Sequence, residues 1–287
     1  MIFSIALFIL FLFLIIWIFR RAAGFLKSKT LLLFIIIVII LAFTLDNSKE
    51  GHIVKAVSDI KNWVQSSALP TGNFIKEHFD IPVIKIKDQV VIDAPVISQL
   101  PELPRGCEVT SLAMMLNKAG ITVDKMELSE KVKKDPTKKK YVNGEIYFGN
   151  PNDGFVGNMY TFQAPGLGVY HDPIAKLAEH YLPGKITDLT GSDFEELKTH
   201  LSDGRPIWVI INTSYQKLPE NLFETWNTPT GQVKITYKEH SVLITGYDPQ
   251  FVYFNDPLTG TKNKKAPIKD FEESWVQMGR QAITYLP

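Results

Sequence analysis

The sequence predicts an α+β domain behind a two-helix membrane anchor, and three observations carry that prediction. Two charge-free, largely apolar runs fill residues 2–19 and 31–45. Apolar residues then recur at helical spacing in several segments up to Gly204. After Arg205 and Pro206 the pattern changes to short apolar runs divided by turn residues, which read as strands. Helices first and antiparallel strands second is an α+β layout. The 287 residues divide into an anchor (1–46), a juxtamembrane amphipathic helix with a linker (47–88), and one globular domain (89–287).

Residues 2–19 are just long enough to span a bilayer core of about 30 Å. The second run is shorter and spans if Lys29 and Thr30 snorkel and the bilayer thins. Arg20, Arg21, Lys27 and Lys29 lie between the two runs, so the positive-inside rule puts that loop in the cytoplasm. The chain after Asp46 is then expected on the extracytoplasmic face of the cell membrane. A cleaved signal peptide fits less well, because no basic segment precedes the first run. Ile53, Ala56, Val57, Ile60, Trp63 and Val64 define the juxtamembrane helix. Pro70 to Gly72 breaks it, and Ile81 to Ile86 reads as a short strand within the linker.

In the domain, Gln89 to Ile92 reads as a strand and Ala94 to Arg105 as a proline-stiffened loop. Val109, Leu112, Ala113 and Leu116 set a helix from Cys107 to Ala119, which Gly120 ends. A second helix is expected at Lys125–Val132, and a long structured loop at Tyr141–Gly168. A third helix should start with Asp172 as cap and Pro173 as first residue, and a fourth with Ser192 and Glu195 as a capping box, ending at Gly204. Strands follow at Ile207–Ile211, Gln232–Tyr237, Ser241–Tyr247 and Phe251–Asn255. Residues 213–230 read as an irregular loop, Ile268–Trp275 as a helix, and Gln281–Leu286 as a last strand.

Composition narrows the function. The net charge of +1 gives no footprint for nucleic acid, and the basic run Lys131 to Lys140 reads as a solvated loop. One cysteine forbids an internal disulfide and a thiolate-only zinc site. There is no glycine-rich phosphate loop, so no nucleotide cofactor is expected. The lone cysteine, Cys107, opens a helix, where unpaired N–H groups and the helix dipole should lower its pKa and favour a thiolate. Taken alone, such a cysteine is more often an inert core residue. A base and its orienting acceptor change that balance.

Of six histidines, His52 and His78 precede the domain, and His180 and His200 fall on helices where a solvated role is the default. His171 precedes a helix and has no partner in the pattern. His240 opens a strand that returns through Asp248-Pro249-Gln250. That turn sets residue 240 opposite about 258, and so brings Asp256, or less favourably Asn255, within reach of the imidazole. The backbone N–H of Cys107 and the side-chain amide of Gln99 are candidate oxyanion donors.

These residues resemble the papain-like cysteine peptidases, and within them the stand-alone, transporter-free branch of the bacteriocin double-glycine leader peptidase-like family. The carriers are Gln99 with Gly106-Cys107-Glu108-Val109-Thr110-Ser111-Leu112-Ala113-Met114, Gly154-Phe155-Val156-Gly157, Gly166-Leu167-Gly168-Val169-Tyr170, Gly204-Arg205-Pro206-Ile207, Glu239-His240-Ser241-Val242 and Tyr253-Phe254-Asn255-Asp256-Pro257. They run in order over residues 91–286. The resemblance implies a papain-like fold, with N-terminal helices packed on an antiparallel sheet. It implies Cys107 as nucleophile, His240 as base, Asp256 as orienter and Gln99 at the oxyanion hole, with peptide-bond hydrolysis through a thioester and no metal. Its partner would be a peptide or protein substrate. Leader cleavage is not carried over, because transporter-linked members cut in the cytoplasm and the anchor here points outward. Alternatives are a non-catalytic peptide- or wall-binding module on the same fold and transglutaminase-type acyl transfer.

Overall fold

The computed structural model describes residues 85–287. The expected membrane hairpin, the juxtamembrane helix and most of the linker lie outside these residues. Among the described residues no helix is long and apolar enough to cross a membrane. The short strand expected at Ile81–Ile86 is absent from its described part, Lys85 and Ile86.

After β1 (Val90–Val91) the chain enters α1 (Cys107–Lys118), which is buried continuously from Cys107 to Leu116. Helical spacing anticipates one apolar stripe, yet Met114 and Met115 are covered as well, so the helix is enclosed on all sides. Gly120 ends it at φ 88°, where a side chain would be strained. Its N–H reaches Asn117 O while Ile121 N–H reaches Leu116 O, which satisfies the last carbonyls. Next come α2 (Lys125–Lys131), capped by Asp124, and the short strands β2 (Lys134–Asp135), β3 (Lys140–Val142), β4 (Glu145–Tyr147) and β5 (Phe155–Val156).

Two helix starts differ from expectation. α3 begins at His171 and runs to Tyr181, and Asp172 does not cap it. Its entry is held from elsewhere, because His171 N–H donates to Gln281 Oε1 at 2.9 Å, and Asp172 pairs instead with Lys176 at 2.6 Å. After β6 (Ile186–Asp188), α4 (Phe194–Ser202) is capped by Asp193, not Ser192, through a bond from Glu196 N–H at 2.9 Å.

The second half holds β7 (Ile207–Asn212), β8 (Glu224–Thr228), β9 (Gly231–Ile235), β10 (Glu239–Tyr247), β11 (Phe251–Asp256), β12 (Thr261–Pro267), α5 (Ile268–Gln277) and β13 (Ala282–Tyr285). The main sheet runs β12-β11-β10-β7-β13-β6, with β1 paired to β10, all antiparallel. Strand β8 corrects the irregular loop expected at 213–230. Strand β12 went unforeseen because its sequence, TKNKKAP, has no apolar alternation. It is an edge strand, where lysines discourage pairing with other chains. The long loop at Tyr141–Gly168 likewise contains strands, and β3 and β4 join β8 and β9 in a small second sheet.

Both faces of the main sheet are buried, which is why β7 is apolar from Ile207 to Ile211. Trp208, Ile210, Leu243 and Ile283 pack under α1, α2 and α3. Val209, Val242, Ile244 and Phe254 face Phe194 and Leu197 of α4 and Phe271 and Trp275 of α5. Helices therefore cover the sheet on two sides, with the first residue of α1 at one end of β10.

Candidate active site

The local geometry around Cys107 follows from the loop before it. Lys125 Nζ donates to Ser98 O and pairs with Glu102 at 2.6 Å, and Gln99 N–H donates to Pro257 O at 2.8 Å. The loop is thus tied to α2 and to the segment after β11. Gly106 then allows a tight approach, since a Cβ there would sit 2.5 Å from Leu103 Cβ. Cys107 follows as the first residue of α1, 6% exposed.

The hairpin register falls where the turn predicts. Leu243 pairs with Asn255, which continues to 240 opposite 258, although a bulge interrupts the pairing between Ile244 and Gly246. His240 Nε2 lies 2.9 Å from Asp256 Oδ1. His240 is 2% exposed, and it lines with Cys107 and Gln99 one cavity of about 150 Å³. Sequence reasoning therefore found residues that the fold brings together. Larger hollows exist elsewhere, one beside His171 and one beside His180, but neither is lined by the cysteine.

Asn255, the less favoured orienter, is committed elsewhere. Its amide donates to Ala94 O and Pro95 O, and its Oδ1 accepts from Asn263 N–H. Asp256 holds His240, and its other contacts were missing from the sequence reading. Tyr215 O–H, Thr259 O–H and Lys264 Nζ all reach Oδ2, at 2.9, 2.8 and 2.9 Å. Tyr215 does so from a left-handed backbone, φ 53°, in the segment expected to be irregular. Burial alone would raise the Asp256 carboxyl, but the bond and charge of His240, with Lys264 and Thr259, hold it well below its usual range.

The thiol departs from expectation. Burial pushes Cys107 well above its ordinary pKa, and the neighbouring carboxyls of Glu108 and Glu239 push it further. A backbone bond from Ser241 pulls it the other way and is outweighed. Desolvation and like charge thus defeat the helix N-terminus that predicted an easily formed thiolate. The thiol donates to Glu108 Oε2 at 3.3 Å.

Gln99 lines the cavity as expected, but both of its amide hydrogens are engaged, with Leu103 O at 3.2 Å and Pro104 O at 2.9 Å. Its Oε1 is buried with no partner. The donor in place for an oxyanion is therefore the N-terminus of α1. Of the remaining histidines, His171 pairs with Asp188 at 2.7 Å, away from the cysteine. His180 is exposed as expected, whereas His200 is buried, a correction to its solvated reading. One signal for the missed carboxyls was visible in the sequence. An acidic residue stands directly beside each candidate, in Cys107-Glu108 and in Glu239-His240.

Comparison with known proteins places the chain in a family. The chain is 48% identical over 183 residues to the uncharacterized protein YvpB of Bacillus subtilis (strain 168), covering 64% of this chain and 70% of that protein. It is similar to the crystal structure of a Bacillus anthracis protein described as a C39-like peptidase, with a TM-score of 0.66 and 50% identity, over 70% of this chain and 98% of that one. The family model described as the Peptidase_C39-like family matches residues 91–283, a span that holds Cys107, His240 and Asp256, and the chain belongs to that family.

Proposed function

We propose that this protein is a membrane-anchored cysteine peptidase-like hydrolase that cleaves a peptide or amide bond through a Cys-His-Asp triad. One observation carries the reading: His240, held by Asp256 through Nε2, opens onto the same cavity as Cys107 at the start of α1. With Nε2 engaged, Nδ1 is the nitrogen left to take the thiol proton. Because the thiol is held neutral, proton transfer accompanies attack and does not precede it.

The sulfur bonds to the carbonyl carbon as its proton moves to His240, and the carbonyl electrons move to the oxygen, beside the N-terminus of α1. The C–N bond then breaks, the amine leaves with the proton from His240, and a thioester remains. Water attacks it with His240 again as base and frees the acid and the thiol. Asp256 steadies the imidazolium in both halves. Gln99 joins the oxyanion only by turning its amide away from Leu103 and Pro104.

The bacteriocin leader peptidase branch is supported by the ordered motif set, which sets no substrate. Two apolar runs and the basic loop between them support an anchor at residues 2–45, with the domain on the extracytoplasmic side.

The test is cleavage of a peptide library by the full-length chain in detergent, followed by mass spectrometry. Cys107→Ala and His240→Ala should each abolish cleavage while thermal unfolding stays cooperative. Turnover retained in Cys107→Ala, or no cleavage by the native chain, would overturn the reading. A product linked to an added amine would show acyl transfer instead.

A further inference from the structure

Two neighbouring residues of β10 line the cavity that holds Cys107. His240 bonds Asp256, and Glu239, one residue earlier, reaches toward α1 and Gly168. There it meets Glu108, the second residue of α1, which is fully buried. The two carboxyls converge on Gly168. A Cβ built at Gly168 would lie 2.1 Å from Glu108 Oε1 and 2.7 Å from Glu239 Oε2. Cys107 Sγ, one oxygen of Glu108 and one of Glu239 all lie within 4.8 Å of one another.

Glu108 Oε1 accepts from Val169 N–H at 2.7 Å, and its Oε2 takes the thiol. Glu239 Oε1 is buried with no partner. The titratable groups facing the pair are Cys107 from α1, His240 from β10, and Tyr170 from the segment after β5, a phenol kept neutral by burial and by both carboxyls. Among the described residues no lysine or arginine offsets the charge of the two glutamates.

We propose that Glu108 and Glu239 are positioning residues for Cys107: a carboxyl pair, Glu108 buried and Glu239 half-buried, that shares one proton and holds the thiol, as a donor to Glu108, neutral in the resting protein. Two carboxylates so placed cannot both ionise, and a shared proton relieves them. Burial pushes Glu108 up to about 7 and, with the charge of Glu108, pushes Glu239 well above the usual carboxylate range, in agreement with that sharing. The remaining negative charge opposes a free thiolate and favours the imidazolium that forms on His240 during attack. The nucleophile would then ionise when substrate engages it and stay guarded from alkylation and oxidation otherwise. This inference rests on Cys107 as nucleophile, but its test reads protonation and not turnover.

The experiment uses the full-length chain in detergent, with and without EDTA. Infrared spectra of native protein near pH 7 should show a protonated carboxyl band that Glu239→Gln removes. Iodoacetamide labelling of Cys107 should follow a pH profile displaced above that of an ordinary thiol. In the Glu108→Gln/Glu239→Gln double variant it should be about tenfold faster or more near pH 6, the effect of one unit of displacement. EDTA should change nothing. No protonated carboxyl in the native chain, or labelling unmoved in a folded double variant, overturns the proposal. So does a profile shifted by EDTA, which would put a cation where the proton is assigned. The infrared titration needs only native protein, so a variant that fails to fold leaves the test intact.

Discussion

Asp256 accepts from His240, Tyr215, Thr259, Lys264 and the backbone N–H of Leu258. A buried carboxylate is stable only when its charge is paired and bonded in this way. Its pKa is depressed on folding, so its contribution to stability is present above the unfolded value, near 4, and is lost as pH falls further. Asp256→Asn should therefore cost on the order of 3 kcal/mol near neutral pH. Native and variant thermal midpoints should converge in acid. Activity should fall by about 10²–10⁴-fold, because the imidazolium loses its counter-charge. Calorimetry across pH with kcat/KM at neutral pH checks both, and a gap that widens in acid would contradict the assignment. Tyr215→Phe removes one of the donors and should give a smaller loss on both measures.

At the scale of elements, α1 and β10 act as a pair, one giving Cys107 and Glu108, the other Glu239 and His240. Their packing is sealed by Gly168, which lies between Val156 and Glu108 with its carbonyl taken by Val156 N–H. Gly168→Ala would set its methyl 2.1 Å from Glu108 Oε1, which is buried and held by Val169 N–H, and 2.7 Å from Glu239 Oε2. Overpacking of this kind costs about 1–3 kcal/mol. The added methyl should also drive the carboxyls apart and change the labelling rate of Cys107. A variant with native thermal midpoint and native labelling would show that the glutamates move aside freely.

At the scale of the molecule, helices cover both faces of the main sheet and leave the end of β10 with its cysteine, histidine and aspartate beside one small cavity. Access is bounded by the segment from Gly157 to Gly166. Arg105 holds that segment through Asn158 O and Thr161 O, and Phe162 packs 4.8 Å from its guanidinium. The exposed Phe162 and Tyr237 line this cavity and would offer apolar surface to the proposed peptide substrate. The proposed anchor would place the domain outside the cell. In intact spheroplasts, protease added outside should remove the domain from the full-length chain, and protection until lysis would place it in the cytoplasm instead.

The helices, strands β1, β7, β9, β10, β11 and β13, and the hairpin that joins His240 to Asp256 were legible because periodicity, caps and turn residues are local. The count through Asp248-Pro249-Gln250 put 240 opposite about 258, and the bulge between Ile244 and Gly246 brings the pairing to that register at Leu243 and Asn255. The start of α3 was off by two residues, because a partner distant in sequence, Gln281, holds its first N–H, and that of α4 by one, because Asp193 and not Ser192 caps it. By itself the sequence determined which residues could form a triad and which segments would carry them. The tertiary structure decided the state of the thiol. Burial and two carboxyls reversed the direction set by the helix N-terminus, because desolvation depends on what surrounds an atom in space and no local pattern records it. It also decided that Tyr215 and Lys264 complete the cradle of Asp256 and that the Gln99 amide is turned to its own loop, contacts fixed only when separate segments close on one another.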